Sequence, residues 1–263
     1  MCGKLLAHVM HELLTTTVFI LGLCIGSFLN VVIDRMSVGK TLLGRSMCDF
    51  CKRVLQPIEL VPILSWVVQR GYSRCCGKRL SWQYPVVEIL TGVVFVVIYN
   101  LFYLQGGELV VTLAAMGIAS SLIVITVADV KYRIIPDAAL AALALFRTWS
   151  WQDRALSVFA PQLFAAAVLF SGMALLFAAT RGRGIGFGDV KFAGIIGFLM
   201  GLQSGFIALY VAFVTGGVMA IILLLTTKKG LKSEVPFGPF MVWGMVAAML
   251  WGSQLSAFFY SLF

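Results

Sequence analysis

Two aspartates stand where an ionised carboxylate is costly. Asp129 closes the apolar run SSLIVITVAD (120–129), and Asp189 closes RGRGIGFGD (181–189), where Gly182, Gly184, Gly186 and Gly188 fall at every second position. Both lie at the ends of segments apolar enough for a bilayer, where an ionisable side chain faces a polar cavity or a partner and is a functional candidate by default. Two carboxylates sharing one site do not both ionise easily. One can then act as base on a water while the other, protonated, donates to the carbonyl under attack. That is the chemistry of an aspartic protease, and such a pair titrates as a unit. Gly186 and Gly188 would let an extended peptide pass close to the backbone beside Asp189. The spacing of Gly182 and Gly186 also satisfies a Gly-x-x-x-Gly helix contact, whereas a phosphate loop would need the Gly-Lys-Ser/Thr that is absent here. The remaining carboxylates have plainer positions. Asp34, Asp49, Glu59, Glu234, Glu12, Glu108 and Asp153 read as loop charges, Asp137 as the first turn of a helix, and Glu88 as a snorkelling residue at a membrane interface.

A second group with chemical potential is thiol-based. Four of the six cysteines lie in one polar stretch, Cys48 and Cys51 in CDFC and Cys75 and Cys76 in RCCGKR. Paired Cys-x-x-Cys motifs hold zinc tetrahedrally, because two intervening residues let both sulfurs turn onto one ion. The first pair has that spacing. The second is adjacent, with Ser73 at the position three before Cys76. The loop therefore binds structural zinc through three thiolates and another ligand, or takes Cys75 irregularly, or is held together without metal. Cys24 reads as a small buried residue of the first apolar segment, and Cys2 as unrelated to the cluster.

These residues must be positioned by membrane helices. Of the 263 residues 60% are hydrophobic and 12% charged, with mean hydropathy +0.98, against about 25% charged in soluble domains. Eight apolar segments are expected, at 13–33, 86–104, 109–128, 134–147, 160–180, 192–201, 205–226 and 240–262. The fourth and sixth fall short of the ~20 residues a span needs. The first is too long for a signal-peptide core and has no small-residue cleavage site after it, so it reads as an anchor. Stretches 34–85, 129–133, 181–191 and 227–239 together hold 17 of the 20 Lys and Arg. By the positive-inside rule they are cytoplasmic, which places Asp129 and Asp189 at the cytoplasmic face and both termini in the periplasm. Topology accounts for most of the net charge of +9, so no nucleic-acid partner is expected.

Several separate motifs then carry a resemblance. GSFLNVVIDR (26–35), ELVPILSWVVQRG (59–71), SWQYPVVE (81–88), ADVKYRIIPD (128–137), GFGDVK (186–191) and VPFGPF (235–240) occur in order along nearly the whole chain. In this the chain resembles the bacterial type IV prepilin peptidases, membrane aspartic proteases of the Gly-x-Gly-Asp class. The resemblance implies that Asp129 and Asp189 are the catalytic pair. It also implies cleavage of the basic leader of type IV prepilins or type II secretion pseudopilins after a glycine, at the cytoplasmic face of the inner membrane. N-methylation of the new terminus from S-adenosylmethionine is implied too, although no Rossmann-type glycine fingerprint for a methyl donor is visible. In family members with both cysteine pairs the second reads Cys-x-x-Cys, so Ser73 here stands in place of a cysteine.

The expected fold is an all-α polytopic membrane protein of about eight transmembrane helices. Its expected parts are an anchor at 1–33, a small cytoplasmic cysteine domain at 34–85, possessing the zinc candidates Cys48, Cys51, Cys75 and Cys76, and a protease bundle at 86–263. Its partners would be prepilin substrates and the lipid bilayer; nothing in the sequence fixes an oligomeric state. A transporter using Asp129 and Asp189 as an ion relay would be expected to carry internal repeats, and none is evident. A scaffold acting through the 34–85 loop would need neither aspartate.

Overall fold

In a computed structural model of the protein, residues 2–150, 156–182, 184–226 and 235–261 are described. Arg183 and the basic cluster at 227–234, both used in the topology expectation, lie outside them. Eight α-helices follow one another: α1 (Cys2–Met36), α2 (Leu64–Val68), α3 (Gln83–Ile98), α4 (Leu109–Tyr132), α5 (Asp137–Ser150), α6 (Leu156–Ala179), α7 (Phe187–Thr226) and α8 (Gly238–Ser261). Among the described residues there is no extended strand, only the isolated bridges Met47–Val54 and Tyr72–Arg79. Among the described residues six helices contain a stretch long and apolar enough to cross a membrane, beginning at His8, Gln83, Leu109, Phe159, Phe187 and Gly238. Their outward faces carry large apolar side chains such as Leu175 and Leu225. A helix satisfies its own backbone, so it is a form in which such segments can be immersed in lipid.

Three of the eight expected segments take a different form. The 134–147 segment becomes α5, a 14-residue helix about 21 Å long at 1.5 Å per residue, shorter than the ~30 Å hydrocarbon core. The segments 192–201 and 205–226 are the two arms of the 40-residue α7, which breaks at Gly201, where φ is 77° and ψ is −179°. The chain reverses there. A Cβ built on Gly205 would lie only 3.6 Å from the Gly197 Cα, whereas eight residues of unbroken helix would separate the two by about 12 Å. Only glycine adopts that conformation readily.

The chain divides into two compact units, residues 1–124 and 125–263. In the first, α1 crosses α3 at very close range, because a Cβ on Gly22 would fall 2.6 Å from the Gly92 Cα and one on Gly26 2.7 Å from the Glu88 Cα. This is small-residue packing, which lets two backbones approach. Asn30, buried on α1, donates to the Tyr84 carbonyl at 3.2 Å and ties the C-terminal part of α1 to the start of α3. Cys24 faces outward from α1 and is exposed, contrary to the expectation that it is buried. Beyond α3 the chain widens into a π-helical turn, Tyr99–Tyr103, where Phe95 and Tyr99 pack with Met116.

In the second unit α7 is sandwiched by α6 and α8. Gly194, Gly197 and Gly205 of α7 admit α6, with a Cβ at Gly197 falling 2.6 Å from the Ala165 carbonyl oxygen and one at Gly205 2.6 Å from Leu169 Cδ1. Phe192, Ile196, Met241 and Met245 are fully buried among these helices. A closely packed interior therefore adjoins the start of α7, where Asp189 lies.

Candidate active site and cysteine centre

The α4 helix ends just beyond Asp129. The Arg133 amide donates to the Asp129 carbonyl at 2.9 Å, and Arg133 takes φ 57°, a left-handed residue that stops the helix. The chain then passes through Ile134 and Ile135 to Pro136, whose carbonyl accepts from Ala139 at 3.0 Å and starts α5. Asp129 itself is buried. Its Oδ2 accepts the backbone N–H of Gly238, the first residue of α8, at 2.7 Å. A Cβ on Gly238 would fall 2.8 Å from that oxygen and 3.2 Å from the Asp129 Cβ, so a side chain there would displace the carboxylate.

Asp189 lies in the first turn of α7, also buried. Its Oδ2 accepts the Gly186 N–H at 3.0 Å, the N3-carboxylate half of a capping box, while its own N–H donates to the Gly186 carbonyl at 3.1 Å. The helix N-terminus favours a negative charge at this place. A Cβ on Gly186 would stand 3.2 Å from the carboxylate, and one on Gly188 3.2 Å from the Cβ of Ile135. Gly188 thus lets the start of α7 seat against the loop that follows Asp129. Lys191 fastens the same junction, its Nζ 2.7 and 2.9 Å from the two Asp137 oxygens. Asp129 and Asp189 belong to the same compact unit.

Only four carboxylates are buried among the described residues: Glu59, Glu88, Asp129 and Asp189. Two of these correct the sequence reading. Glu59, expected as a loop charge, is paired with Arg53 at 2.9 Å and caps the Gln56 amide at 2.7 Å. Glu88, expected to snorkel, accepts the Ile63 amide at 2.7 Å inside the first unit. Gly182 and Gly186 do not form a helix contact, since Gly182 takes φ 70° and closes α6 through a bond from its amide to the Phe177 carbonyl at 2.9 Å. Asp137 does open α5, and its pairing with Lys191 is additional. Gly238 and Ile135 were within quoted motifs, but their bond to, or packing beside, the aspartates had no signature in residue type or spacing.

In the first unit the sulfurs of Cys48, Cys51, Cys75 and Cys76 lie within 4.8 Å of one another. Two knuckles bring them together. In the first, Cys48 donates to the Arg53 carbonyl at 2.8 Å and Lys52 to the Cys48 carbonyl at 3.0 Å; in the second, Ser73 donates to Lys78 at 2.7 Å and Gly77 to Ser73 at 2.8 Å. Lys52 and Gly77 both have positive φ, 60° and 67°, and the flanking bridges Met47–Val54 and Tyr72–Arg79 match as well. Ser73 is thus the structural counterpart of Cys48, as Cys76 is of Cys51. Cys75 occupies the corner that Ser73 leaves without a thiol, and the Ser73 hydroxyl contacts the sulfurs of Cys48 at 3.4 Å and Cys75 at 3.1 Å.

Burial opposes ionisation of the Cys48 thiol, but the hydrogen bond from Ser73 and the amides of Cys51 and Phe50 outweigh it and bring the thiol down to about 6. The neighbouring Cys51 sulfur pushes Cys75 up to about 11. Four soft donors in this arrangement fit a thiophilic tetrahedral ion. The Cys48–Cys76 separation of 3.8 Å equals the ~3.8 Å edge expected for zinc–sulfur bonds of ~2.3 Å, and the Cys51–Cys75 pair at 3.0 Å would open by under ~1 Å to match it.

Comparison with known proteins follows the same division. The family model for the bacterial peptidase A24 N-terminal domain matches residues 20–102, and that for the type IV leader peptidase family matches residues 116–221. Relatives named prepilin leader peptidase/N-methyltransferase include one from Bacillus subtilis (strain 168), 31% identical over 92% of this chain and 96% of its own length. One from Aeromonas hydrophila is 28% identical over 98% of both chains. One from Myxococcus xanthus (strain DK1622) is 31% identical over 82% of this chain and 65% of its own length. No solved structure matches. Six membrane-length helices and these relatives together identify an inner-membrane protein. The length and identity of the Bacillus subtilis match, with both family models in order along the chain, establish that this protein belongs to the type IV leader peptidase family and is a membrane peptidase.

Proposed function

We propose that the protein removes the basic leader from type IV prepilins or type II secretion pseudopilins, cutting after a glycine at the cytoplasmic face, through Asp129 and Asp189. The observation that carries this reading is that two buried carboxylates of one compact unit are each anchored by a glycine N–H, Gly238 on Asp129 and Gly186 on Asp189. One carboxylate takes a proton from water as its oxygen attacks the carbonyl carbon; the other, in its protonated form, donates to the carbonyl oxygen. Collapse of the tetrahedral intermediate breaks the C–N bond, and a proton passes to the departing amine. Fixed N–H donors hold both carboxylates in place before the substrate arrives, which is what proximity catalysis requires. Gly186 and Gly188 leave the backbone beside Asp189 without side chains, so an extended leader can approach it. The distribution of Lys and Arg supports a cytoplasmic orientation of this site with both termini periplasmic, an arrangement that requires the short helix α5 to cross the membrane.

The same reading includes N-methylation of the new terminus with S-adenosylmethionine, as the names of the relatives indicate for those proteins. Cys48, Cys51, Cys75 and Cys76 would hold a structural zinc ion, which would cross-link the two knuckles; Ser73 would donate its hydroxyl to a sulfur beside it. The peptidase test is cleavage of a prepilin in membranes by the intact protein, Asp129→Asn and Asp189→Asn. Loss of cleavage in both variants at normal expression is the expected result. Cleavage by both at the wild-type rate would remove the aspartates from the chemistry.

A further inference from the structure

One peptide group joins Asp129 to the helix packing, the one between Phe237 and Gly238 in VPFGPF (235–240). Its N–H donates to Asp129 Oδ2 at 2.7 Å, and its carbonyl accepts the amides of Phe240 and Met241, both at 3.1 Å, at the start of α8. A peptide group is planar, so its N–H and C=O turn together. The tilt of this one plane therefore decides whether the N–H points at the carboxylate. A further point of attachment comes from the Phe237 ring, which lies against the second arm of α7. A Cβ built on Gly216 would stand 3.2 and 3.4 Å from two carbons of that ring and 3.5 Å from Phe240 Cδ2, while the Phe213 and Phe237 centroids are 5.1 Å apart at 46°. Phe213 and Gly216 fall at i and i+3 on one helix and share a face, so a large side chain beside a missing one leaves a notch that takes a ring. A tilted contact at this distance is among those that aromatic pairs favour. Gly216 is buried there, whereas a Cβ on the next residue, Gly217, would meet open space.

We propose that Phe237 is a positioning residue for the peptidase reaction: its ring, seated in the Gly216 notch against Phe213, holds the Phe237–Gly238 peptide in the orientation that presents its N–H to Asp129. The proposal rests on the dyad reading and deepens it, since Phe237 acts on Asp129 through that amide alone. Without the ring the peptide plane is free to tilt about the α8 end, and a hydrogen bond weakens steeply as its donor turns away from the acceptor. The carboxylate then loses its fixed place before the substrate arrives. The chemical step slows, and substrate binding is little changed because the Phe237 side chain is not asked to touch the leader.

The test measures steady-state cleavage of a prepilin by the full-length protein in detergent, with the unfolding midpoint of each variant taken alongside. Phe237→Ala should lower kcat about tenfold and keep KM within about twofold, as for an interaction that serves the transition state and not substrate binding. Phe237→Leu, which refills part of the notch, should recover most of that rate. The deciding measurement is a double-mutant cycle. In a Gly238→Ala background, where the amide is already displaced, adding Phe237→Ala should slow cleavage by no more than about twofold, because both changes act on the same bond. If Phe237→Ala does not fold, Gly216→Val takes its place by filling the notch: kcat should fall, while the matched Gly217→Val leaves it unchanged. Losses that multiply in the double variant, a raised KM at unchanged kcat, or full activity of both Phe237→Ala and Gly216→Val would overturn the positioning role. Asp129→Asn, run in parallel, separates the two readings. Wild-type cleavage by that variant would remove the dyad itself, whereas an inactive Asp129→Asn beside a fully active Phe237→Ala would remove only the role of Phe237.

Discussion

The carboxylate of Asp129 is held by a backbone N–H that only a glycine can bring so close. A Cβ at Gly238 would meet Asp129 Oδ2 at 2.8 Å, so Gly238→Ala should lower the rate of prepilin cleavage about 100-fold, the scale of loss from misplacing a reacting group by ~1 Å. Gly217→Ala is the matched control, since nothing lies within 4 Å of a Cβ there; equal activity of the two variants would show that Gly238 does not position Asp129. The Lys191–Asp137 pair should matter much less. Both side chains are substantially exposed, and such pairs contribute roughly 0.2–1 kcal/mol. Lys191→Gln should therefore keep cleavage within a few-fold of the intact protein. Residue type announced Asp129 and Asp189 in the sequence because a carboxylate at membrane depth is costly. It could not announce Gly238, because a glycine that presents an amide looks like any other glycine until its neighbour is known.

At the scale of helices, the break in α7 depends on one backbone conformation. Gly201 has φ 77° and ψ −179°, a region essentially closed to residues with a Cβ. Gly201→Ala should destabilise the protein by roughly 1–3 kcal/mol, read as a lower unfolding midpoint in detergent. Gly197→Val should also destabilise it, because its side chain would press on the Ala165 backbone. An unchanged midpoint in both variants would argue against the packed hairpin. The apolar segments were legible from composition, and so was the division near 201–205. That the two arms fold back against α6 was not, because the reversal rests on a left-handed glycine and on close contacts formed by residues distant in sequence. Likewise α5 carries the expected apolar run, but its 14 residues form a helix shorter than a membrane span.

For the whole molecule, the division into two units predicts that the proposed cleavage and the proposed methylation are separable. On the proposed reading, elemental analysis should find zinc in the intact protein, and Cys48→Ser or a strong chelator should remove it and abolish the methyl mass increment on the product while cleavage continues. Loss of cleavage alongside methylation would show that the units do not act independently. The sequence by itself determined that the chain is a helical membrane protein, which two aspartates could do hydrolysis, and which cysteines could bind a metal. Each follows from local properties: hydropathy over a span, the cost of a buried charge, and the softness of thiolates. Tertiary structure alone decided that Gly238 and Gly186 anchor the aspartates, that Ile135 fits against Gly188, and that Cys75 fills the corner left by Ser73. These are contacts between residues far apart in the chain, set by backbone direction and close packing, and neither is written in the identity of any single residue.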